Sequence, residues 1–492
     1  MPPLIEFLFA LNIFSAVLLA VYALHQAILL VLFLRTKTSL APGGGESGQN
    51  LPRVTVQLPL FNERYVAERI IAAACALDYP RELLHIQVLD DSTDDTRQIA
   101  IHAVQAARAK GHAVELIQRP SRDGFKAGAL REGLQTATGE FIAIFDADFI
   151  PQPDFLRRTL APFADERVGF VQTRWGFLNR DQSAITRGQA AMLNMHFVTE
   201  QTARSANGLV MNFNGSGGVW RRSCILDAGN WQGDCLSEDL DLSIRAETRG
   251  WRGVYLNRVE SPGELPDDVN AFKRQQKRWA RGSSQVMRKL LAALWRSPLS
   301  LAAKVMATLH LSGYVIHIFV LVLALTTPIL ALSRQPVPAW VGFASAVGAA
   351  PALSMFAANI WLGRRARDFA RDLPFAIMLG LGVSVSNAAG LVMGFASRAA
   401  GEWTRTPKAA PSRAGAGYTL QLDWSFWCEA GLALVLFAAF LALLAMDNWT
   451  AAATCALYAF SFGGVALAQA RVAWQGRTRV QPVGGALPKS GK

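Results

Sequence analysis

The strongest constraint on this chain is where its apolar residues lie. Met1 to Arg35 and nearly everything after Lys304 are apolar, whereas Leu51 to Arg296 has the mixed composition of an ordinary globular domain. About 20 consecutive apolar residues suffice to cross a bilayer as a helix. The chain therefore reads as a soluble insert held between membrane segments, and its 492 residues, 51% hydrophobic, exceed what one soluble domain would use.

The first apolar stretch, Leu4 to Leu34, has no basic residues before it and ends in Arg35-Thr36-Lys37. That pattern predicts a retained span with its C-terminal end in the cytosol rather than a cleaved signal peptide. Five apolar stretches follow the insert, at about 305–333, 339–361, 374–396, 425–446 and 449–470. If all five crossed, the basic run from Arg398 through Arg405, Lys408 and Arg413 would face outward, against the positive-inside rule. The conflict disappears if 374–396, interrupted by Gly380, Gly382, Ser384, Ser386, Asn387 and Gly390, is an interfacial or re-entrant element. An ordinary span that breaks the charge rule is the alternative.

The expected organisation is then a first span (1–35), a linker (36–50), a cytosolic domain (51–300), two spans (301–361), the interfacial element with a basic loop (362–424), two more spans (425–470) and a basic cytosolic tail (471–492). Lys and Arg gather beside the apolar segments, so the net charge of +12 is read as membrane flanking and no nucleic-acid partner is expected. The five cysteines, Cys75, Cys224, Cys235, Cys428 and Cys455, lack metal-ligand spacing and suggest a reducing compartment.

Within the insert, strand-like runs alternate with helical ones. Val54 to Pro59 precedes a turn at Phe61-Asn62-Glu63-Arg64; His85 to Leu89 meets Asp90-Asp91-Ser92; and Glu140 to Phe145 meets Asp146-Ala147-Asp148. This alternation predicts a parallel, doubly wound α/β sheet, which binds ligands at the carboxyl ends of its strands. A dinucleotide fold would need Gly-x-Gly-x-x-Gly after the first strand, where this chain has Pro59-Leu60-Phe61-Asn62-Glu63. Carboxylates beside a diphosphate need a cation between them, and Asp146 and Asp148 offer the hard oxygens that suit Mg²⁺ or Mn²⁺. A solvated turn is the alternative reading of that pair.

Asp90-Asp91-Ser92, Asp146-Ala147-Asp148, Ser237-Glu238-Asp239 and Gln275-x-x-Arg278-Trp279 follow one another in the order and spacing of the processive family-two glycosyltransferases, which include cellulose, chitin and hyaluronan synthases. Gln87 to Asp94, Phe213 to Arg221 and Gln275 to Trp279 most resemble the cellulose synthase-like mannan and glucan synthases of plants and their bacterial relatives. The resemblance implies a GT-A type α/β doubly wound, nucleotide-sugar-binding domain beside an α-helical transmembrane domain. It implies that Asn62, Glu63, Asp91 and Lys126 hold the nucleotide sugar and that Asp146 and Asp148 place the diphosphate and metal. Asp239, with Glu238 beside it, matches the general base, and Gln275, Arg278 and Trp279 match the acceptor and diphosphate site. Trp403-Thr404-Arg405-Thr406-Pro407-Lys408 is similar to the gating loop of cellulose synthases, with Trp403 for the usual Phe and Arg405 for the usual Val; a charged connector is the alternative.

Inversion at the sugar carbon needs one base and positive charge on the leaving diphosphate, and like-charged neighbours are expected to raise the pKa of Asp239. Ser237 with acidic residues after it also suits a helix N-cap, and Trp279 alone would suit an interfacial anchor. The expected protein is an inverting hexosyltransferase of the cell membrane, in contact with membrane lipid and catalytic on the cytosolic side. It would use UDP-glucose or GDP-mannose to extend and export a β-1,4-glucan or mannan. A non-processive enzyme acting on ceramide or diacylglycerol is the alternative; a transporter or receptor fits poorly, since intramembrane charges are few, Glu6 and Glu429 being the exceptions.

Overall fold

The computed structural model describes residues 2–36, 51–335, 348–397 and 422–479. The chain opens with helix α1 (Pro3–Arg35). The insert begins with β1 (Val54–Leu60), α2 (Ala67–Cys75), β2 (Leu84–Asp90), α3 (Thr96–Ala109), β3 (Val114–Gln118), α4 (Phe125–Thr136) and β4 (Phe141–Ile144). β1 is paired in parallel with β2 and β4, and β2 with β3, as the alternating pattern predicts. Their residues are buried on both faces because helices cover both sides of the sheet. In α2, Ala67, Ile70, Ile71 and Ala74 recur at helical spacing and form its buried stripe.

Beyond β4 the sheet departs from the all-parallel expectation. Seven strands lie in the order β3-β2-β1-β4-β6-β5-β7, with β5 (Val168–Phe177), β6 (Gly218–Arg221) and β7 (Arg252–Gly263). β6 runs antiparallel to both β4 and β5, so the sheet is mixed. Its four residues have too little apolar alternation to stand out in the sequence. Two cores flank the sheet, one built on Val54, Val56 and Leu58 and the other on Ile142, Ile144, Phe170 and Trp220.

Between β5 and β7 lie α5 (Ala184–Asn194) and α6 (Glu238–Thr248), and after the sheet comes the long helix α7 (Val269–Arg296), capped by Asp268, whose carboxylate accepts from the backbone N–H groups of Asn270 and Ala271. The stretch expected at 305–333 is broken: α8 (Leu301–Leu311) is separated from α9 (Ile316–Leu332) at Ser312, whose hydroxyl donates back to the Thr308 carbonyl at 2.7 Å and accepts from Tyr22 of α1 at 2.8 Å. Of the stretch at 339–361, α10 (Ala350–Trp361) is described. The next pair, α11 (Ala366–Gly382) and α12 (Ser384–Ala396), is bent by 43° at Val383. The last two helices are α13 (Trp424–Ala445) and α14 (Trp449–Arg479).

Among the described residues, four helices, Pro3–Arg35, Gly313–Leu332, Trp424–Ala445 and Trp449–Trp474, are long and apolar enough to cross a membrane, and the bent pair would make five if it is one span. This is a membrane protein. The residues that interrupt 374–396 form a packing face. A Cβ at Gly390 would lie 2.5 Å from the Lys277 carbonyl oxygen of α7, and one at Gly394 would overlap the hydroxyl of Ser284. The other helix of the pair is tied to the insert by Asp372, which receives Arg180 at 2.6 Å and Arg187 at 3.1 Å.

Overpacking a close helix contact costs about 1–3 kcal/mol. Gly390→Val should therefore lower the melting temperature of the purified protein by several degrees, measured by differential scanning fluorimetry. Gly431→Val, on α13 where nothing lies within 4 Å of the added carbon, should leave it unchanged.

Candidate active site

The carboxyl ends of β1, β2 and β4 open into a single cleft closed on the far side by α7. Glu63, Asp91, Lys126, Asp146, Asp148, Glu238, Asp239, Gln275, Arg278 and Trp279 all line it. Of the described residues singled out from the sequence, Asn62 alone lies off the lining. It has a left-handed backbone (φ 56°), and its side-chain oxygen accepts from the Thr93 N–H at 2.8 Å, clasping the first turn to the loop after β2. Trp403, Thr406 and Lys408 of the gating-like loop lie outside the described residues.

Lys126 sits at the centre. It occupies the first turn of α4, and its ammonium is 2.6 Å from Asp146, 3.7 Å from Glu238 and 2.8 Å from the Gly215 carbonyl oxygen. Burial alone would lower its pKa, but Asp146, Glu238 and Asp239 outweigh that and hold it above the ordinary lysine value. Arg119 pairs with Asp91 and also donates to the carbonyls of Asp123 and Phe125, binding the end of β2 to the turn that delivers Lys126.

Asp239 is in the first turn of α6. Burial, then the adjacent Glu238 carboxylate, push its pKa up to about 7, against the opposing pull of Lys126 and the Leu240 N–H. The like-charge argument thus names a real cause, but burial is the larger one. Ser237 makes no side-chain capping bond to α6. Instead it abuts α7 at Gly282, where a Cβ would collide with its hydroxyl, and Leu236 donates its N–H to Gln285 at 2.9 Å. Asp241 faces away, paired with Arg245 and Lys289.

Seven carboxylates line the cleft: Glu63, Asp91, Asp146, Asp148, Glu238, Asp239 and Glu264. They face three lining cations, Arg122, Lys126 and Arg278, while Arg119 pairs with Asp91 and Arg69 with Glu264 from outside the lining. A cleft this acidic would repel a diphosphate, so the donor set fits a divalent cation at Asp146 and Asp148.

These motifs now have one geometry, and similarity places it. The description "Glycosyltransferase like family 2" matches residues 52–282. Those residues are a family 2 glycosyltransferase domain. The chain is 43% identical over 254 residues to glucomannan 4-beta-mannosyltransferase 2 of Arabidopsis thaliana, covering 50% of this chain and 47% of that one. It is 43% identical over 253 residues to glucomannan 4-beta-mannosyltransferase 1 of rice, covering 50% and 48%. It spans about half the length of the curated relatives it matches. A solved mannosyltransferase of Pyrobaculum calidifontis, in complex with GDP-Man and Mn²⁺, shares the fold at a TM-score of 0.51 and 23% identity, covering 79% of this chain and 97% of that one. That domain is thus similar in sequence to mannosyltransferases over about half of the chain.

The glycosyltransferase cleft has further lining residues that the sequence did not single out. Trp175 stacks on Phe197 with ring centroids 4.8 Å apart, and its indole N–H donates to the Ser216 carbonyl at 3.0 Å. Arg122 lies over the Phe61 ring, 3.2 Å from its centroid. Gly215 has φ +81°, and a Cβ there would be 2.9 Å from an Asp239 carboxylate oxygen and 3.3 Å from the Lys126 ammonium. The run Gly215-Ser216-Gly217-Gly218 after Phe213-Asn214 was the available signal, since glycine clusters mark close backbone approach. Gly215→Ala should lower kcat about 10²-fold or more, because a misplacement near 1 Å at reacting groups has that effect, while the protein still melts cooperatively by circular dichroism.

Proposed function

We propose that the chain is an inverting mannan synthase-like enzyme that transfers mannose from GDP-mannose to a growing β-1,4-mannan or glucomannan. The observation that carries this reading is the 43% identity to glucomannan 4-beta-mannosyltransferases. It supports mannose over glucose as the donor sugar in the acidic frame. A helix N-terminus suits phosphate, and Lys126 stands at one. Asp146 and Asp148 would hold Mg²⁺ or Mn²⁺, which when bound supplies positive charge between the carboxylates and the donor diphosphate.

In the proposed transfer, the Asp239 carboxylate takes the proton of the acceptor hydroxyl as that oxygen bonds to the sugar C1. The bond from C1 to the diphosphate breaks on the opposite face, and its electron pair leaves with GDP. Lys126 and Arg278 stabilise the departing charge. Trp279 offers an aromatic face to the acceptor sugar, Gln275 hydrogen-bonds its hydroxyls, and Glu63 and Asp91 contact the nucleoside. The product is then passed to the spans, with the insert and the basic loop bearing Trp403, Thr406 and Lys408 on the cytosolic side. The acidity of the cleft, the raised pKa of Asp239 and the adjacency of α7 to the membrane helices support this arrangement.

Membranes given GDP-mannose with Mn²⁺ should yield polymer digestible by β-mannanase; transfer only from UDP-glucose would overturn the choice of donor, and a single-sugar glycolipid product would overturn the polymer. EDTA should stop the transfer and added Mn²⁺ or Mg²⁺ restore it. Asp239→Asn should lower kcat by about 10²–10⁴-fold with donor binding intact. A base is inactive when protonated, so kcat/KM should fall about tenfold per unit as the pH drops below about 7, the value to which Asp239 is raised.

A further inference from the structure

Glu429 is an acidic residue in the second turn of the apolar helix α13, and intramembrane charges of this kind usually have a named partner and a task. Its partner is Lys273, on the helix that carries Gln275, Arg278 and Trp279. Both are buried, with the Lys273 ammonium 2.8 Å from the Glu429 carboxylate, 2.8 Å from the Ser425 hydroxyl and 3.1 Å from the Gln469 side-chain oxygen. Gln469 of α14 also donates to Glu429 at 2.8 Å. All three protons of Lys273 are thereby committed to α13 and α14, which fixes the direction of its side chain as well as its position.

We propose that the Lys273–Glu429 pair is a positioning device for the acceptor site, locking the rotation of α7 against the last two membrane helices. The proposal rests on the reading of Gln275, Arg278 and Trp279 as acceptor and diphosphate residues. At 3.6 residues per turn these three lie roughly 140–240° around the helix from Lys273, so the lock and the site occupy opposite faces. Gln276, Lys277 and Ser284 share the face of Lys273, and they meet Tyr314, Gly390 and Gly394. At the outer helix radius of about 5–6 Å, a rotation of roughly 10° moves a group by about 1 Å. A shift of that size is enough to cost about 10²-fold in rate.

Stability is a poor account of the pair. Buried ion pairs seldom stabilise more than apolar residues of equal size, and one Glu429 oxygen, Oε1, has no hydrogen-bond partner among the described residues. What the pair adds is a fixed geometry that apolar contact lacks.

The test uses the whole chain in nanodiscs with GDP-mannose as donor and mannotetraose as acceptor. Removing one charge alone would strand the other, so the informative variant is Lys273→Met/Glu429→Leu. It should melt near the native temperature, while the KM for mannotetraose rises about ten- to a hundredfold. A native KM for mannotetraose would overturn the proposal. If that variant does not fold, Gln469→Met decides instead: it leaves the charges paired but removes one contact from each, and should raise the mannotetraose KM severalfold, whereas an unchanged KM would overturn the lock. If the native chain transfers no mannose to mannotetraose, the functional reading fails by itself. The pair is then judged by amide hydrogen exchange over residues 275–282, which should quicken at least tenfold in the folded variant and, if unchanged, sinks the proposal.

Discussion

The seating of α7 is the constraint on which the rest of this structure depends. One face of the helix presents Gln275, Arg278 and Trp279 to the cleft, Gly282 lies against Ser237 at the start of the helix that bears Asp239, and Gln285 holds Leu236. Its back meets Gly390 and Gly394 of the bent pair and sends Lys273 to Glu429. The same helix therefore carries one half of the site, buttresses the other and joins both to the membrane domain. Little lateral freedom remains, because α12 approaches it closely at Gly390 and Gly394, where an added Cβ would collide with it.

Charge organises the other side of the cleft. Lys126, which touches Asp146 and Glu238 and is bonded to the Gly215 carbonyl, offsets part of the repulsion among the carboxylates of the cleft. The same lysine opposes the rise in the Asp239 pKa, which burial and Glu238 nevertheless carry to about 7. A base poised there is strong enough to accept a hydroxyl proton as the bond forms and is ionised at neutral pH in a useful fraction. The acidity that makes the cleft hostile to a bare diphosphate also makes it receptive to a divalent cation.

Much of this was legible along the chain because it depends on local order. Asp91, Asp146 and Asp148 follow apolar strands, and strand ends in a parallel sheet converge on one edge. Gln275, Arg278 and Trp279 are close in sequence and share a helix face. The interruption at Gly390 was visible too, but only as a weakness in an apolar stretch; its use as the contact with Lys277 depends on a partner more than a hundred residues away. Asn62, read from the sequence as a donor ligand, has a second task that only the fold shows: it clasps two loops through Thr93.

The sequence by itself determined the alternation of apolar and mixed segments, the parallel half of the sheet and the residues that reach its carboxyl edge, because hydrophobic periodicity and short spacing are local properties. The tertiary structure decided that β6 runs antiparallel, that Gly215 brings backbone against Asp239 and that Glu429 answers Lys273 across 156 positions. Each of these is a contact between distant segments, whose partner is chosen by which surfaces pack together and not by any pattern in the segment itself.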